Sequence, residues 1–275
     1  MKFFPKKPIF LLPFVRYSFI MITFHTRGRR NLGELIAVLS GKGGTGKTSV
    51  CAGISTALAQ SGSKVLCIDC DIGLRNLDIS LGISELGALS FTDVSQGSYS
   101  LSQATAHPKY PSLSFLTAPM NCTADKIDQT AFADMLRTAR EGFDFIFLDA
   151  PAGVDDGFRL AAKFADRVLL VTGSDPAAVR DAARTGQLLE LMGKAEVRLI
   201  VNRVNRKMIS SMAVTVDDIM DRSGLPLIGL VPEDKNVTLA AAFGQSLLSL
   251  TNRGAAKACQ RIARRLQGNY VPITL

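Results

Sequence analysis

Two hydrophobic patterns alternate along the chain from residue 35 onward. Apolar runs without polar interruption are typical of parallel strands buried on both faces, and apolar residues spaced three or four apart are typical of helices. The apolar runs predict strands at 35–40, 64–69, 113–117, 143–149, 167–172, 197–202 and 227–230. The segments between them predict helices at 47–60, 130–141, 177–192 and 214–222. This alternation predicts an α/β fold with a doubly wound, mostly parallel sheet flanked by helices on both faces.

The first 33 residues differ from the rest of the chain. They carry basic residues before a short apolar run, as a secretion signal does, but prolines and an arginine interrupt the run and no small-residue cleavage pattern follows. Met21 lies shortly before the first predicted strand. We therefore expect residues 1–33 to be an N-terminal extension that is disordered or not translated, and residues 34–275 to form a single domain.

The positive charge of the chain is concentrated at its two ends. The 275 residues include 32 Lys and Arg and 24 Asp and Glu, a formal net charge of +8 at pH 7. Thirteen of the basic residues lie in 1–33 and 235–275, which contain no acid, so the remaining 19 face 24 acids and the body is at −5. Nucleic acid is not expected as a partner, because the body supplies no attractive field for its phosphates.

Cysteine content and hydropathy argue against two further classes. Five cysteines, an odd number, disfavour a secreted disulfide framework and indicate a reducing compartment. Cys67 and Cys70 lie three apart where a strand runs into its loop, so we expect their side chains to point to opposite faces rather than share a metal. No apolar stretch reaches the roughly 18 to 20 residues of a membrane-spanning helix, so an integral membrane protein is not expected.

A glycine-rich segment follows the first predicted strand and leads into the first predicted helix. It consists of Gly41, Lys42, Gly43, Gly44, Thr45, Gly46, Lys47, Thr48 and Ser49. Its first eight residues fit the P-loop pattern, in which backbone N–H groups and the start of a helix face phosphate oxygens. We predict a nucleotide site in which Lys47 contacts the β and γ phosphates and the Thr48 hydroxyl binds Mg²⁺.

The predicted strand 143–149 ends in a carboxylate. Such an aspartate lies in the crevice where α/β sheets bind their ligands, so we expect Asp149 to hold the water shell of the Mg²⁺. An N-cap of the next helix is the alternative role for Asp149. Residues 150–153, Ala-Pro-Ala-Gly, form a turn that could contact the γ-phosphate.

Lys42 directly follows the first glycine, where an ordinary P-loop needs no lysine. The segment from Lys42 to Thr48 matches K-G-G-x-G-K-T, and the chain therefore resembles the deviant Walker A family of ATPases, the MinD/ParA class. The resemblance extends over most of residues 35–250. Residues 69–78 and 149–153 resemble the two switch segments of the MinD branch, to which the chain is most similar.

The resemblance implies roles that composition and spacing do not. Lys42 would cross a dimer interface to the phosphates of the partner's ATP, so that ATP joins a homodimer and its hydrolysis releases it. Asp71 would orient the attacking water and complete the metal site of Thr48 and Asp149, and Lys47 would complete the catalytic set. The positions that resemble the family's adenine contacts are Asn202, Pro232, Glu233 and Asp234.

The same resemblance implies a function. The chain would be an ATP-dependent dimerising ATPase that spatially regulates cell-division site placement, with an inhibitor like MinC and an activator like MinE as partners. A flagellar-number ATPase of the MinD type and a partition ATPase of the ParA type are the alternatives. An iron–sulfur protein of the nitrogenase type is disfavoured, because residues 149–156 contain no cysteine. A nucleotide-binding regulator with negligible turnover also remains open.

The C-terminal segment 255–266 predicts a basic amphipathic helix. Its small apolar face carries Ala255, Ala258, Cys259, Ile262 and Leu266, and its other face carries Lys257, Arg261 and Arg265. We expect this helix to pack on the domain, with weak, ATP-dependent contact to an anionic membrane surface as the alternative. The protein is accordingly expected in the cytoplasm, with peripheral contact to the inner face of the cell membrane under that alternative.

Overall fold

Eight strands form one sheet in the part of the chain that the structure, a computed structural model, describes, namely residues 32–120, 122–205 and 216–274. In chain order they are β1 (Glu34–Leu39), β2 (Val65–Asp69), β3 (Thr105–Ala106), β4 (Leu113–Leu116), β5 (Phe145–Asp149), β6 (Arg167–Thr172), β7 (Val197–Val204) and β8 (Leu227–Pro232). Their order across the sheet is β3-β4-β2-β5-β1-β6-β7-β8, and every neighbouring pair is parallel except β3 with β4. The predicted doubly wound, mostly parallel sheet is confirmed.

Helices connect the strands, and polar side chains fix where several of them begin. In chain order they are α1 (Lys47–Gln60), α2 (Leu77–Leu81), α3 (Phe91–Ser95), α4 (Gln129–Gly142), α5 (Asp156–Phe164), α6 (Pro176–Leu191), α7 (Val216–Ser223), α8 (Lys235–Ala242), α9 (Leu247–Leu250) and α10 (Gly254–Leu266). The Asp128 carboxylate accepts hydrogen bonds from the backbone at the start of α4, and Asp175 does so at the start of α6, where Pro176 takes the first position.

Helical layers cover both faces of the sheet, and β1 shows how they divide the core. Ile36 and Val38 pack in the layer that contains α1, α2, α8, α9 and α10. Leu35, Ala37 and Leu39 pack in the layer that contains α3 to α7. Successive side chains of a strand point to opposite faces, so a strand covered on both sides must be apolar throughout. This is the physical reason for the uninterrupted apolar runs in the sequence.

The two cysteines of the C-x-x-C pair lie on opposite sides of the sheet. Cys67 packs in the α1 layer and Cys70 in the other. Both are free thiols, and burial raises the pKa of Cys67 to about 12 and that of Cys70 well above its usual range. The prediction that their side chains point to opposite faces is confirmed.

The sequence pattern missed several short elements. Helices α2, α3 and α9 have five, five and four residues, too few for an apolar spacing of three or four to repeat. The nine-residue α5 was also missed, because it follows directly on the turn predicted at 150–153. Strand β7 runs two residues past the predicted end, with an irregular register to β8 between Val201 and Val204.

Parts of two predictions lie outside the described residues. These are residues 1–31 of the expected N-terminal extension and residues 214–215 of the helix predicted at 214–222, whose remainder is α7. The domain boundary at residue 33 therefore stays a prediction. Within the described ranges, no helix is both long enough and apolar enough to span a lipid bilayer.

The C-terminal helix α10 packs on the domain. All five residues of its predicted apolar face are at most 4% exposed, and they lie against α1 and β8. The approach is close enough to require glycine, because a Cβ on Gly53 of α1 would lie 2.6 Å from Cys259 Sγ, and one on Gly229 of β8 would lie 2.3 Å from Ile262 Cγ1. Packing on the domain is confirmed, and the apolar face is not open to a lipid surface.

Candidate nucleotide-binding site

The loop that follows β1 depends on glycine. It runs from Ser40 to Gly46 and leads directly into α1. Gly44 and Gly46 have φ angles of 78° and 80°, in the left-handed region that other residues rarely adopt. A Cβ on Gly46 would also lie 2.3 Å from Asn202 Nδ2. Backbone conformation and close approach therefore both demand glycine at position 46.

The start of α1 is open to an anion. Gly46 caps this 14-residue helix without a side-chain hydrogen bond, and the first turn contains no acid. The first N–H groups of a helix lack partners within it, and the helix dipole places partial positive charge there. Since no acidic side chain competes for these groups, the arrangement suits a phosphate at the loop of residues 41–48.

A buried ion pair joins this loop to the neighbouring strand. The register between β1 and β5 places Val38 opposite Asp149, and Lys47 Nζ lies 2.8 Å from Asp149 Oδ1, with the two side chains 6% and 1% exposed. Burial alone lowers the pKa of Lys47, but the charge and hydrogen bond of Asp149 outweigh it and the net shift is upward. Burial raises the pKa of Asp149, with Lys47 opposing that shift. Lys47 Nζ also donates to Thr48 Oγ1 at 3.3 Å.

One oxygen of Asp149 has no partner. Asp149 Oδ2 is buried without a hydrogen bond to any described residue, as are Ser40 Oγ and Thr45 Oγ1 of the same loop. Buried carboxylate oxygens are normally paired, so this atom fits a role in holding a hydrated cation. No three His, Cys, Asp or Glu side chains of the described residues form a metal cluster. The alternative N-cap role of Asp149 is wrong, because Asp155 occupies the N-cap position of α5, without a side-chain hydrogen bond.

A pocket of about 350 Å³ lies beside the loop. Its wall consists of segments that are far apart in the sequence, namely the start of α1, the end of β7, the connection from β8 to α8, and α10. The lining residues are Gly46, Ser49, Val50, Asn202, Arg203, Val231, Pro232, Glu233, Asp234, Lys235, Val237, Thr238, Leu247, Ala255 and Cys259. Asn202 Nδ2 donates to Thr45 O at 2.8 Å and so ties the pocket to the phosphate loop. The residues predicted to contact a base all line this pocket.

Asp234 holds the pocket wall together. Its Oδ1 accepts from Asn236 N at the start of α8, and its Oδ2 accepts from Ala255 N at the start of α10. A Cβ on Gly254 would lie 2.2 Å from Asp234 Oδ2, so the chain passes close to this carboxylate. Both oxygens are engaged by the backbone. Asp234 therefore lines the pocket as predicted. Its two observed hydrogen bonds hold the starts of α8 and α10 in the pocket wall.

The segment after β2 is organised by two aspartates. Asp69 Oδ1 accepts from Asp71 N at 2.9 Å, and Asp69 Oδ2 accepts from Leu77 N at 3.2 Å. Burial raises the pKa of Asp69 to about 7, and the nearby Asp149 adds to the shift. Asp71 Oδ1 accepts from the backbone of Gly73 and Leu74 at 3.3 and 3.2 Å. The Asp71 carboxylate thus closes its own turn, and its predicted roles in water activation and metal binding stay predictions.

The rim of the site is exposed. Lys42 has no hydrogen bond or ion pair with any residue that the structure describes. Leu74, in the turn closed by Asp71, is 72% exposed, and Val154, beyond the turn after β5, is 40% exposed. Ala152 of that turn lies opposite Gly43, 3.9 Å from where a Cβ would be. A cation and two aliphatic side chains are therefore exposed on the loops that follow β1, β2 and β5, three neighbouring strands of the sheet.

Comparison with known proteins agrees with this geometry. A model of the CobQ/CobB/MinD/ParA nucleotide binding domain matches residues 36–248. The septum site-determining protein MinD of Synechocystis is 37% identical over 246 residues, which are 88% of this chain and 92% of the relative.

The chain belongs to the CobQ/CobB/MinD/ParA family. A solved MinC:MinD cell division protein complex of Aquifex aeolicus has a chain that matches with a TM-score of 0.81 and 34% identity, over 88% of this chain and 99% of that one. The MinD of Pyrococcus horikoshii, complexed with Mg-ADP, matches with a TM-score of 0.74 and 26% identity over 86% and 96%. Relatives and structures agree on the MinD branch, a group of cell-division site-placement ATPases, and do not favour the flagellar or partition alternatives.

As a member of this family, the chain carries a nucleotide-binding domain with a P-loop fold, as the sequence predicted. The structure brings Lys47, Thr48 and Asp149 together at the start of α1, and it places Asn202 and residues 232–234 in the pocket beside the same end of the loop. Arg203, Lys235 and Thr238 also line the pocket and were not predicted. For Arg203 the only signal was its position next to Asn202 at a predicted strand end.

Proposed function

We propose that this member of the MinD/ParA family binds ATP with Mg²⁺, forms a homodimer around it, hydrolyses it, and thereby regulates cell-division site placement. The observation that carries the proposal is the continuity of the phosphate loop with a base-sized pocket through the Asn202–Thr45 hydrogen bond. The loop offers a helix start and a lysine for phosphates, and the pocket offers a recess of about 350 Å³ for the base.

Asn202 can contact a base through the amide atoms that Thr45 leaves free. Its Nδ2 donates one N–H to the Thr45 carbonyl, so Oδ1 remains as an acceptor and the second N–H as a donor. The acceptor suits the exocyclic amino group of adenine. Together with the similarity to the ATPases of the MinD branch, this supports ATP as the nucleotide that we propose.

Mg²⁺ would be held by the Thr48 hydroxyl and, through water, by Asp149, whose Oδ2 has no hydrogen-bond partner among the described residues. When bound, the cation neutralises phosphate charge and polarises the transferring phosphoryl group. Lys47 exchanges its bond with Asp149 Oδ1 for the β and γ phosphate oxygens. This exchange keeps the buried ammonium paired with negative charge throughout.

The exposed rim supports the proposed dimer. Lys42 has no partner within the described part of its own chain, and a cation supplied by a second protomer stabilises phosphoryl transfer as an arginine finger does. Leu74 and Val154 present apolar surface on the loops after the neighbouring strands β2 and β5, which a second protomer would bury. Asp71 would exchange its backbone bonds in the turn for a bond with the attacking water.

The remaining proposals concern partners and location. The match to the MinD chain of a MinC:MinD complex supports a MinC-like inhibitor as a partner, and an ATPase activator of the MinE type would complete the cycle. We propose a cytoplasmic protein with weak peripheral contact to the inner membrane face. Because the apolar face of α10 is buried, that contact would rest on exposed basic residues such as Lys257 and Arg264, and would weaken with salt.

Multi-angle light scattering tests the nucleotide-dependent dimer. The wild-type protein should have a mass near its monomer value of 29.5 kDa without nucleotide and about twice that with ATP and Mg²⁺. Asp71→Ala should accumulate as the dimer, because ATP stays bound while the carboxylate that orients water is gone. If the wild type and Asp71→Ala both bind ATP but stay monomeric, the proposed ATP-dependent homodimer would be wrong.

A further inference from the structure

Arg203 has a backbone conformation that arginine disfavours. Its φ is 54°, and only Arg75 shares a positive φ among the described residues that are not glycine. Arg203 lies near the carboxyl end of β7, within the register shift between Val201 and Val204. Such conformations carry strain, persist where neighbouring structure enforces them, and concentrate at binding sites.

The neighbours of Arg203 enforce this conformation. Asn202 is held by its bond to Thr45 O, and Val204 O accepts from Glu233 N at 3.1 Å. Asn202 and Val204 are both buried, whereas the Arg203 side chain between them is exposed. Its Nε lies 3.8 Å from the position that a Cβ on Gly46 would occupy. The strained turn therefore directs the side chain to the junction of the phosphate loop and the base pocket, which it lines.

The guanidinium of Arg203 forms no hydrogen bond or ion pair with any described residue. Other arginines that organise this fold are used differently, because Arg140 pairs with Asp166 and Arg265 donates to the carbonyls of Ile228 and Val271. A planar cation that lines a pocket and has no partner among the described residues is suited to lie against a flat aromatic ligand.

We propose that Arg203 is a positioning residue whose guanidinium lies against the face of the nucleobase. The base would then be held between this planar cation and the aliphatic wall formed by Pro232, Val237 and Leu247. The proposal rests on the proposed nucleotide-binding function and adds a base contact that neither the motif nor the Asn202 hydrogen bond supplies.

Calorimetric titration of three variants tests this contact. Arg203→Ala should bind a non-hydrolysable ATP analogue with Mg²⁺ about 3- to 30-fold more weakly than the wild type, the range expected for losing a cation over a ring. Arg203→Lys keeps the positive charge but lacks the planar guanidinium, so its affinity for the ATP analogue should lie between those of the wild type and Arg203→Ala. Inorganic triphosphate should bind all variants within about twofold of the wild type, because it has no base. Arg137→Ala on α4 is the matched control, since Arg137 is 76% exposed and remote from the pocket.

Arg203→Gly separates ligand binding from a structural role. Glycine adopts a φ of 54° without strain, so the variant should resist urea at least as well as Arg203→Ala while binding the ATP analogue equally weakly. Equal losses for the ATP analogue and triphosphate would place the guanidinium on phosphate and overturn the base contact. Unchanged affinity of Arg203→Ala would overturn it too. A wild-type protein that binds neither ligand would instead reject the proposed function itself.

Discussion

The site has an inner half, with Lys47, Asp149 and Asn202, and an outer half, with Lys42 and Asp71. The two halves differ in how many of their side-chain contacts lie within a single chain. In the inner half, Lys47 and Asp149 are buried and paired, and Asn202 is bonded to the loop. In the outer half, Lys42 is exposed and unpaired within the described chain, and the Asp71 carboxylate accepts hydrogen bonds from the backbone of its own turn. The difference supports the proposal that a single protomer supplies the phosphate and base contacts. The groups proposed for hydrolysis lie at the rim, where the proposed second protomer would enclose them.

The largest effect should come from breaking the inner half. Lys47→Ala removes the buried ammonium, so ATP affinity should fall by at least about 100-fold, as expected for the loss of charge-assisted bonds to two phosphates. The variant also leaves Asp149 buried and unpaired, which should lower the free energy of unfolding by about 3–5 kcal/mol. Titration calorimetry and urea unfolding measure the two effects.

A double variant separates these two consequences of losing Lys47. Lys47→Met with Asp149→Leu removes both buried charges, so it should regain most of the lost stability. It should still fail to bind ATP, because the phosphate lysine is absent. Full ATP affinity in Lys47→Ala would contradict the phosphate assignment.

The outer half should respond in the opposite way. Lys42→Ala should keep ATP affinity within about twofold of the wild type, because its side chain has no contact with the inner half of its own site. Its steady-state turnover should fall by at least about 100-fold, since a cation supplied in trans accounts for a large part of phosphoryl-transfer catalysis. Lys64→Ala, at another exposed lysine, is the control. Wild-type turnover in Lys42→Ala would remove Lys42 from catalysis.

A smaller effect should connect stability to pH through Asp69, which lies between the two halves. Its pKa of about 7 is above the ordinary value of 3.8, so the folded state binds a proton that the unfolded state has lost between these values. Asp69 therefore contributes stability in acid that is lost as pH rises from about 4 through 7. Asp69→Asn keeps an acceptor oxygen and should flatten this dependence, as urea midpoints at pH 5.5 and 8.0 would show. Equal pH dependence in both proteins would mean that Asp69 titrates normally.

The elements that the sequence predicted well are those that local patterns determine. The phosphate loop is one segment whose glycines and lysine occur at fixed spacing, so its role could be predicted directly. The position of Asp149 in the ligand crevice also followed from general rules, because strand ends of a parallel sheet share one edge. Both features need only sequence neighbours and the fold class, whereas the ion pair of Asp149 with Lys47 was not predicted.

The elements that the sequence missed depend on tertiary contacts. Asp234 holds the start of α10, 21 residues further along the chain, and no local pattern reports that bond. The position of Arg203 depends on an irregular register between β7 and β8 and on the anchoring of Asn202 by the loop. The helices α2 and α3 are too short for periodicity and are fixed by what they pack against.

Mixing two inactive variants tests the division between the halves most directly. Lys42→Ala keeps its own Asp71, and Asp71→Ala can supply Lys42, so only a mixed dimer contains a complete site. The variants are combined in equal amounts before ATP and Mg²⁺ are added, and turnover is measured where light scattering shows dimers. Half of the dimers should be mixed with one complete site each, so turnover should recover to about a quarter of the wild-type rate. A mixture that forms dimers but stays as inactive as either variant alone would contradict catalysis by Lys42 across the interface.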